Sequence, residues 1–316
     1  MPITESLFEG VIVMFVTIAI ATILKRFNVL KKDDSILLSK IVIKITLPAL
    51  IFYSLANTVF NPEYLIMAAS MAVIELCMML IAWAVAKVLN FDKGKTGALI
   101  LVSAFGMTSM LGYPLIQQIF PHSKMAIEEA VITSEFGVGF LLFILGPFIA
   151  MYFGDSAIKR GDIFKFARQF FTSPIFIALV LGIVFSFMGI SRNNDVYRTA
   201  LHVLKYAGDA NFLMVTFTVG LILEFKQIKT AYLFLILAIL LKLILKPVLA
   251  ILITSHDGFT PMMSQILLIE TALPSAILSA VFAKQYNCRP DLVSMAIMVT
   301  LVISLVSISL LFVVFF

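Results

Sequence analysis

Ten apolar runs fill almost the whole chain, and each is long enough to cross a lipid bilayer. They lie near residues 7–25, 35–56, 64–89, 96–120, 126–152, 170–190, 198–223, 230–254, 262–286 and 291–316. A transmembrane helix needs about 20 apolar residues. The mean hydropathy is +1.08, and only 13% of the residues are charged, which excludes a soluble domain. We expect an all-α polytopic membrane protein with ten transmembrane helices.

The basic residues of the loops divide unevenly between the two sides of the predicted membrane. The five odd-numbered loops hold 15 Lys and Arg residues, whereas the other side, termini included, holds Lys124, Arg192 and Arg198. Because basic loops stay cytoplasmic, this predicts a multi-pass protein of the cell membrane with both termini outside. The N-terminus lacks the basic region of a signal peptide, so we expect the first run to be retained as a helix.

The two halves of the chain are predicted to be related as an inverted repeat. Residues 1–153 hold five spans, 154–169 form a basic linker, and 170–316 hold five more. An odd number of spans per half forces the second half to insert upside down, which is typical of secondary carriers.

Corresponding spans of the two halves each contain a proline in small, polar surroundings, Pro114 and Pro274. Proline lacks a backbone donor and clashes with the preceding turn, so we expect each helix to break or kink there. In lipid, freed backbone groups persist only inside protein or beside a wet cavity. Two such breaks predict a substrate site at the membrane midplane; the alternative is two ordinary kinks.

A broken helix presents backbone N–H groups with partial positive charge to the site. We expect these groups to come from residues 115–117 and 275–277, and to attract a carboxylate. The neighbouring residues that we expect to complete the substrate site are Thr108, Ser109, Gly112, Pro114, Gln117, Thr271, Pro274 and Ser275.

Charged residues deep inside spans are costly and usually functional. Glu75 and Lys242 occupy roughly equivalent repeat positions, and one hypothesis is that they pair, and that protonation of Glu75 or cation binding there drives transport. The alternative is a static ion pair. Lys246 is a second deep cation, and Glu270 lies one turn before Pro274, where it would titrate or accept bonds from frayed backbone donors.

Three further polar residues lie inside spans without a decided role. Glu135 stands in a glycine-containing segment that favours close helix packing. Asp209 and Asn211 lie in span seven, where substrate contact and contact between two protomers are both open.

Several short segments, in order along the chain, resemble the auxin efflux carrier family. They are KITLPALIF (44–52), TSMLGYPL (108–115), SPIFIALVLG (173–182), LKLILKP (241–247) and ALPSA (272–276). The chain departs from the family pattern at Met107, where asparagine is common, and at residues 209–212, where proline is common. The short central loop is similar to that of prokaryotic members.

The resemblance implies a bile-acid-symporter-like fold in which helices four and nine are broken and cross. Helices 1, 2, 6 and 7 would form a scaffold and a homodimer interface, and helices 3–5 and 8–10 a transport domain. Such carriers move small organic anions by an elevator-type displacement. The resemblance also implies an acidic support site on span three, at Glu75.

The leading functional prediction is a secondary transporter of small carboxylates, and the alternative is a membrane receptor or sensor that uses a carrier fold. No enzymatic motif is present: there is neither a metal-binding His-Glu-x-x-His nor a Gly-x-Ser-x-Gly nucleophile elbow. We expect no cofactor and no metal site beyond H⁺ or Na⁺ as a coupling ion, and no nucleic-acid partner. The sequence leaves open the carboxylate, the direction of transport and the coupling ion.

Overall fold

The computed structural model describes residues 3–56, 63–121, 123–154, 164, 168–188, 195–222, 231–256 and 258–315. Within these ranges the chain is helical apart from short connections, and it contains no β-strand. One isolated antiparallel β-bridge joins Gly106 and Ser275. The expectation of an all-α protein is therefore confirmed for the described part of the chain.

The helices divide between the two halves of the chain. In the first half they are α1 (Ile3–Arg26), α2 (Asp34–Ile41), α3 (Leu47–Ala56), α4 (Tyr64–Val88), α5 (Lys93–Ala104), α6 (Tyr113–Ile119), α7 (Lys124–Ile132) and α8 (Phe140–Phe153). In the second half they are α9 (Pro174–Met188), α10 (Asp195–Asp209), α11 (Asn211–Ile222), α12 (Tyr232–Ile239), α13 (Lys246–Thr254), α14 (Pro261–Ala272), α15 (Ile277–Gln285) and α16 (Pro290–Phe315).

Stretches of π-helix interrupt or precede several of these helices. They are Val42–Thr46, Thr108–Gly112, Thr133–Gly139 and Leu240–Leu245. A π-helical turn is rare and often marks a functional position. The last three of these stretches carry or adjoin buried polar residues of the candidate site.

Among the described residues, six continuous helical segments are long and apolar enough to cross a membrane. They are Phe8–Arg26, Asp34–Ala56, Tyr64–Val88, Lys124–Phe153, Tyr232–Thr254 and Pro290–Phe315. The predicted spans four and nine are each two helices separated by a non-helical segment, and α9 has only 15 residues. Span seven is divided at Ala210 between α10 and α11. The ten-helix inverted repeat stays a prediction, and most of the predicted linker 154–169 lies outside the described residues.

The first of two compact units comprises Met1–Glu63, Ser109–Val131 and Phe171–Leu223. Its α3 packs against both α9 and α10. Gly208 of α10 allows the close approach to α3, because a Cβ atom there would lie 3.0 Å from the Cα of Leu50. The buried Thr46 hydroxyl donates to the Asn211 Oδ1 at 2.8 Å. This bond connects the start of α11 to the π-helical stretch that leads into α3.

The second unit comprises Tyr64–Thr108, Ile132–Phe170 and Glu224–Phe316. Its α4 packs against α5 and against the π-helical segment Thr133–Gly139. Gly137 makes this contact possible, because a Cβ atom there would lie 2.7 Å from the Cβ of Met71 and 2.9 Å from the carbonyl oxygen of Ala68. Close packing through small residues is the usual way membrane helices associate.

Gly137→Ala is expected to lower the free energy of unfolding by about 1–3 kcal/mol, because the new methyl group would overlap backbone that cannot move aside. Thermal unfolding in detergent measures the change. Gly139→Ala is the matched control, since its Cβ would meet the side-chain Glu135 Oε2 at 3.1 Å, a Phe170 ring atom at 3.5 Å and a backbone atom, the Ser134 carbonyl oxygen, only at 3.6 Å. Equal losses in the two variants would contradict the packing argument.

Candidate functional site

The second unit contains two helices that stop in the middle of an apolar segment. The α5 helix ends at Ala104, Phe105 is extended with φ −81° and ψ 132°, and the chain becomes helical again at Thr108. The α14 helix ends at Ala272, Leu273 is extended with φ −64° and ψ 154°, and α15 begins at Ile277. Each interruption is only a few residues long.

The two interruptions cross and pair with one another through the backbone. The Met107 N–H donates to the Pro274 carbonyl at 2.9 Å, and the Ala276 N–H donates to the Phe105 carbonyl at 3.0 Å. These bonds frame the bridge between Gly106 and Ser275. Each break therefore satisfies backbone groups that the other leaves without helical partners, as a non-helical segment buried in a membrane protein requires.

The two prolines have different positions relative to the breaks. Pro274 lies in the extended segment, as predicted. Pro114 does not, and the prediction of a break there is wrong: it is the second residue of α6, in a helical stretch that starts at Thr108. Proline is tolerated in the first turn of a helix, and the preceding π-helical turn already alters the hydrogen-bond ladder that Pro114 would disrupt.

The N–H groups that we expected to face the substrate are also placed differently. Residues 115–117 lie in α6, well inside the helical stretch that starts at Thr108. The Ser275 N–H donates to the Thr300 Oγ1 at 3.2 Å, and the Ala276 N–H is used in the crossing. Only the first turn of α15, from Ile277 onward, begins at the break, and its N-cap residue Ala276 supplies no side-chain bond.

Side chains of the second crossing segment cap the end of α5. The Ser275 Oγ donates to the Val102 carbonyl at 2.6 Å, and the Ser279 Oγ donates to the Leu101 carbonyl at 3.1 Å. The last carbonyls of a helix lack partners within it. Ser275 therefore helps to hold the crossing together, which is a structural task in addition to any contact with substrate.

Two fully buried lysines lie one turn apart in sequence, and each donates a hydrogen bond to the end of a different broken helix. Lys246 donates to the Ala104 carbonyl and to the Glu75 Oε1 at 2.6 Å. Lys242 donates to the Thr271 carbonyl at 3.3 Å. Since a helix C-terminus carries partial negative charge, each ammonium group stabilises the end of one half-helix.

The predicted pairing of Glu75 with Lys242 is therefore wrong, because the salt bridge is made by Lys246, and all three side chains are buried completely. The Nζ of Lys242 instead lies beside the crossing, where a Cβ on Gly106 would be 3.1 Å from it. Glycine at position 106 leaves the room that this ammonium group occupies. Counting charges along the sequence could not decide which lysine would reach Glu75.

Glu270 is buried completely, and neither of its carboxylate oxygens has a hydrogen-bond partner among the described residues. The charged side chains that act on it electrostatically are Glu135, Lys246 and Glu75. An ionised carboxylate without a partner is very costly in such a setting. A neutral side chain or a bound cation would remove that cost.

The remaining predicted residues of the second unit engage nearby groups. Thr108 forms a buried hydrogen bond with Ser134, whose neighbour Glu135 is also buried. The Thr271 hydroxyl donates to the Leu267 carbonyl of its own helix at 2.8 Å. Thr108 and Ser134 thus link the start of one π-helical stretch to another, beside the crossing.

Several predicted residues belong to the first unit and not to this cluster. They are Ser109, Gly112, Pro114, Gln117, Asp209 and Asn211. Asn211 bonds to Thr46. The Asp209 side chain is 42% exposed and bonded to Lys205 at 2.6 Å. Asp209 is the last residue of α10, and α11 begins two residues later at Asn211.

Sequence reasoning overlooked three polar features. Thr300, which accepts the Ser275 N–H, looked like one polar residue in an apolar run, and nothing in the sequence signals its partner. Glu128 and Glu129 are each 1% exposed, and here a signal existed: adjacent acidic residues inside a predicted span. Both belong to the first unit.

Comparison with known proteins agrees with the architecture of the chain. It matches the model of the membrane transport protein family over residues 6–157 and 162–312. It is 27% identical over 306 residues to an uncharacterized transporter of Methanocaldococcus jannaschii, with 96% of both chains covered. It is 27% identical over 308 residues to an uncharacterized transporter of Methanothermobacter thermautotrophicus, again with 96% of both chains covered.

A plant relative is matched over part of its length. The chain is 25% identical over 152 residues to auxin efflux carrier component 2 of Oryza sativa subsp. japonica, which covers 48% of this chain and 24% of the rice protein. The chain therefore belongs to the membrane transport protein family and is a multi-pass membrane protein. The resemblance to the auxin efflux carrier family is confirmed.

Proposed function

We propose that the protein is a secondary active transporter of small organic anions, chiefly carboxylates, which bind at the crossing of its two broken helices. The observation that carries this proposal is the pair of interrupted helices joined by the bridge between Gly106 and Ser275, with buried charges around it. Interrupted helices of this kind form the substrate and ion sites of many secondary carriers.

Lys242 is the residue that gives the crossing its preference for an anion. An ammonium group has three donors, and the hydrogen bond of Lys242 to the Thr271 carbonyl is long, at 3.3 Å. Lys246, in contrast, is held by Glu75 and by the Ala104 carbonyl. A carboxylate that reaches Gly106 would meet the Lys242 ammonium group, with the first turn of α15 as a second source of positive potential.

The coupling ion would act on the carboxylates near the crossing. Protonation of Glu75, or a cation bound beside it, would release Lys246 from its salt bridge and loosen the end of α5. Glu270 is the other carboxylate that could accept H⁺ or Na⁺. No cofactor beyond such an ion enters the proposed cycle.

The proposed mechanism follows the auxin efflux carrier family. Ten spans would form two inverted repeats, in which helices 1, 2, 6 and 7 make the scaffold of a homodimer and helices 3–5 and 8–10 carry the substrate by an elevator displacement. The protein would lie in the cell membrane with both termini outside. A receptor or sensor that binds the same anions without moving them is the alternative.

The test is solid-supported-membrane electrophysiology on reconstituted protein with a panel of mono- and dicarboxylates, at two pH values and with or without sodium. We expect a saturable current that Thr300→Val reduces at least about ten-fold, because the variant leaves the Ser275 N–H without its acceptor and distorts the crossing. Thr254→Val is the matched control, since the Thr254 hydroxyl bonds only within its own helix, to Ala250 and Ile251.

The outcomes separate the carrier from the sensor. Radiolabel counterflow detects electroneutral exchange, which produces no current. Anion-induced thermal stabilisation without current or counterflow would favour the sensor and contradict the carrier. Equal currents in the two threonine variants would show that the crossing is not the site.

A further inference from the structure

The first unit contains a pocket of about 220 Å³, none of whose lining residues belongs to the crossing. It is formed by α3, α6, the start of α7, and the end of α10. Its polar lining residues include Tyr53, Ser54, Gln117, Lys124, Lys205 and Asp209. Leu50, Phe120 and Ile127 contribute apolar wall to the same pocket. The volume suits a small organic molecule with one charged end.

The charged side chains of the pocket give it a positive balance. Lys124 and Lys205 face a single carboxylate, that of Asp209. The ammonium group of Lys205 bonds to the Asp209 Oδ2 at 2.6 Å, while the side chains are 50% and 42% exposed. An exposed pair of this kind contributes little to stability, so a carboxylate from solution can replace Asp209 at low cost.

The backbone holds this pair at the pocket. Gly208 is buried and brings α10 against Leu50 of α3. Lys205 and Asp209, one turn apart on α10, are thereby fixed beside Tyr53 and Ser54 of α3. The cationic group and the hydroxyl groups are thus positioned before any ligand arrives, which reduces the entropy lost on binding.

We propose that this pocket is a second anion-binding site, in which Lys205 and Lys124 hold the carboxylate of a small organic acid and Asp209 occupies the carboxylate position when the site is empty. That the ligand is the transported acid rests on the proposed function. That the pocket binds an organic anion does not, because it follows from the charges, the apolar wall and the volume alone.

Two substitutions at the pocket are expected to change anion affinity in opposite directions. Lys205→Gln should weaken binding about ten-fold, because it removes a charge-assisted hydrogen bond. Asp209→Asn should strengthen binding about two- to five-fold, because it removes the competing carboxylate. A residue pair with only a structural role would shift affinity in the same direction, or not at all, when either partner is lost.

The measurement is titration of the full-length protein in nanodiscs with sodium malonate and, separately, sodium benzoate, at constant ionic strength against sodium chloride. Thermophoresis gives the dissociation constants. The matched controls are Arg198→Gln and Asp195→Asn, which break a second ion pair of 2.7 Å on the same helix and should change affinity less than two-fold. Thr300→Val, measured in the same assay, gives the part of the anion affinity that depends on the helix crossing.

Opposite shifts for the Lys205 and Asp209 variants, with unchanged controls, would support the pocket as an anion site. Shifts in one direction, unchanged affinity in both variants, or no saturable binding of either probe to the wild type would overturn it. The proposed function is tested independently of the pocket variants. It is contradicted if the protein does not transport, or if Thr300→Val leaves the transport rate unchanged.

Discussion

Replacing Lys246 with methionine is expected to abolish transport and to lower the free energy of unfolding by about 3–5 kcal/mol. The substitution removes the partner of Glu75 in a salt bridge that is buried on both sides. It also leaves the Ala104 carbonyl at the end of α5 without its donor. A buried charge without compensation accounts for most of the expected loss.

A second substitution separates stability from transport at this position. In the double variant Glu75→Gln/Lys246→Met the Glu75 carboxylate is no longer left without its ion-pair partner, so most of the lost stability should return. Transport should not return, because both groups that are proposed to respond to the coupling ion are gone. Thermal unfolding in detergent measures the first effect, and counterflow in proteoliposomes measures the second.

The matched control is Lys95→Met, since Lys95 pairs with Asp92 at the surface, where the two side chains are 41% and 54% exposed. We expect a change below about 1 kcal/mol there. A Lys246→Met protein that keeps its stability would contradict the salt bridge between Glu75 and Lys246. A double variant that transports at the wild-type rate would contradict the coupling role.

Glu270→Gln is expected to have opposite effects on stability and on transport. The amide removes a carboxylate that has no partner among the described residues, so the free energy of unfolding should rise by about 1–3 kcal/mol. Transport should fall at least about ten-fold, because the amide cannot accept the coupling ion as the carboxylate is proposed to do. Proteins often retain such strain at functional positions and become more stable when it is removed.

The measurement pairs thermal unfolding with counterflow at two pH values and with or without sodium. Glu9→Gln is the control, because Glu9 is an exposed acidic residue of α1 and should affect neither quantity. A Glu270→Gln protein that is less stable than wild type would show that the carboxylate is satisfied in the folded state. A Glu270→Gln protein that is more stable than wild type and fully active would show that Glu270 has no role in transport.

The position of the helix crossing could be predicted only in part from the sequence. Pro274 marked the second break correctly, because proline was the only local reason for the helix to stop there. The first break occurs earlier than Pro114, at residues 105–107, where Gly106 is the single residue with a poor helix propensity. That break exists because Phe105 and Met107 gain partners in a distant segment, and no single-sequence pattern reports such a pairing.

The buried charges were recognised more readily than their partners. Glu75, Lys242, Lys246 and Glu270 stood out because charges inside apolar runs are rare, and all four are completely buried. The choice between two lysines for Glu75 depends on the course of the π-helical stretch Leu240–Leu245, since π-helical turns change which residues share a face. Regular helical periodicity cannot anticipate that change.

The crossing of the two broken helices also bears on how proteins of this kind can diversify. The two hydrogen bonds that frame it are made by main-chain groups, so the side chains at positions 105 and 107 can change without removing either bond, provided that residue 107 is not proline. Side chains at the crossing can therefore vary between proteins while the main chain keeps the same geometry, and at the proposed substrate site this would let selectivity change without a change of architecture.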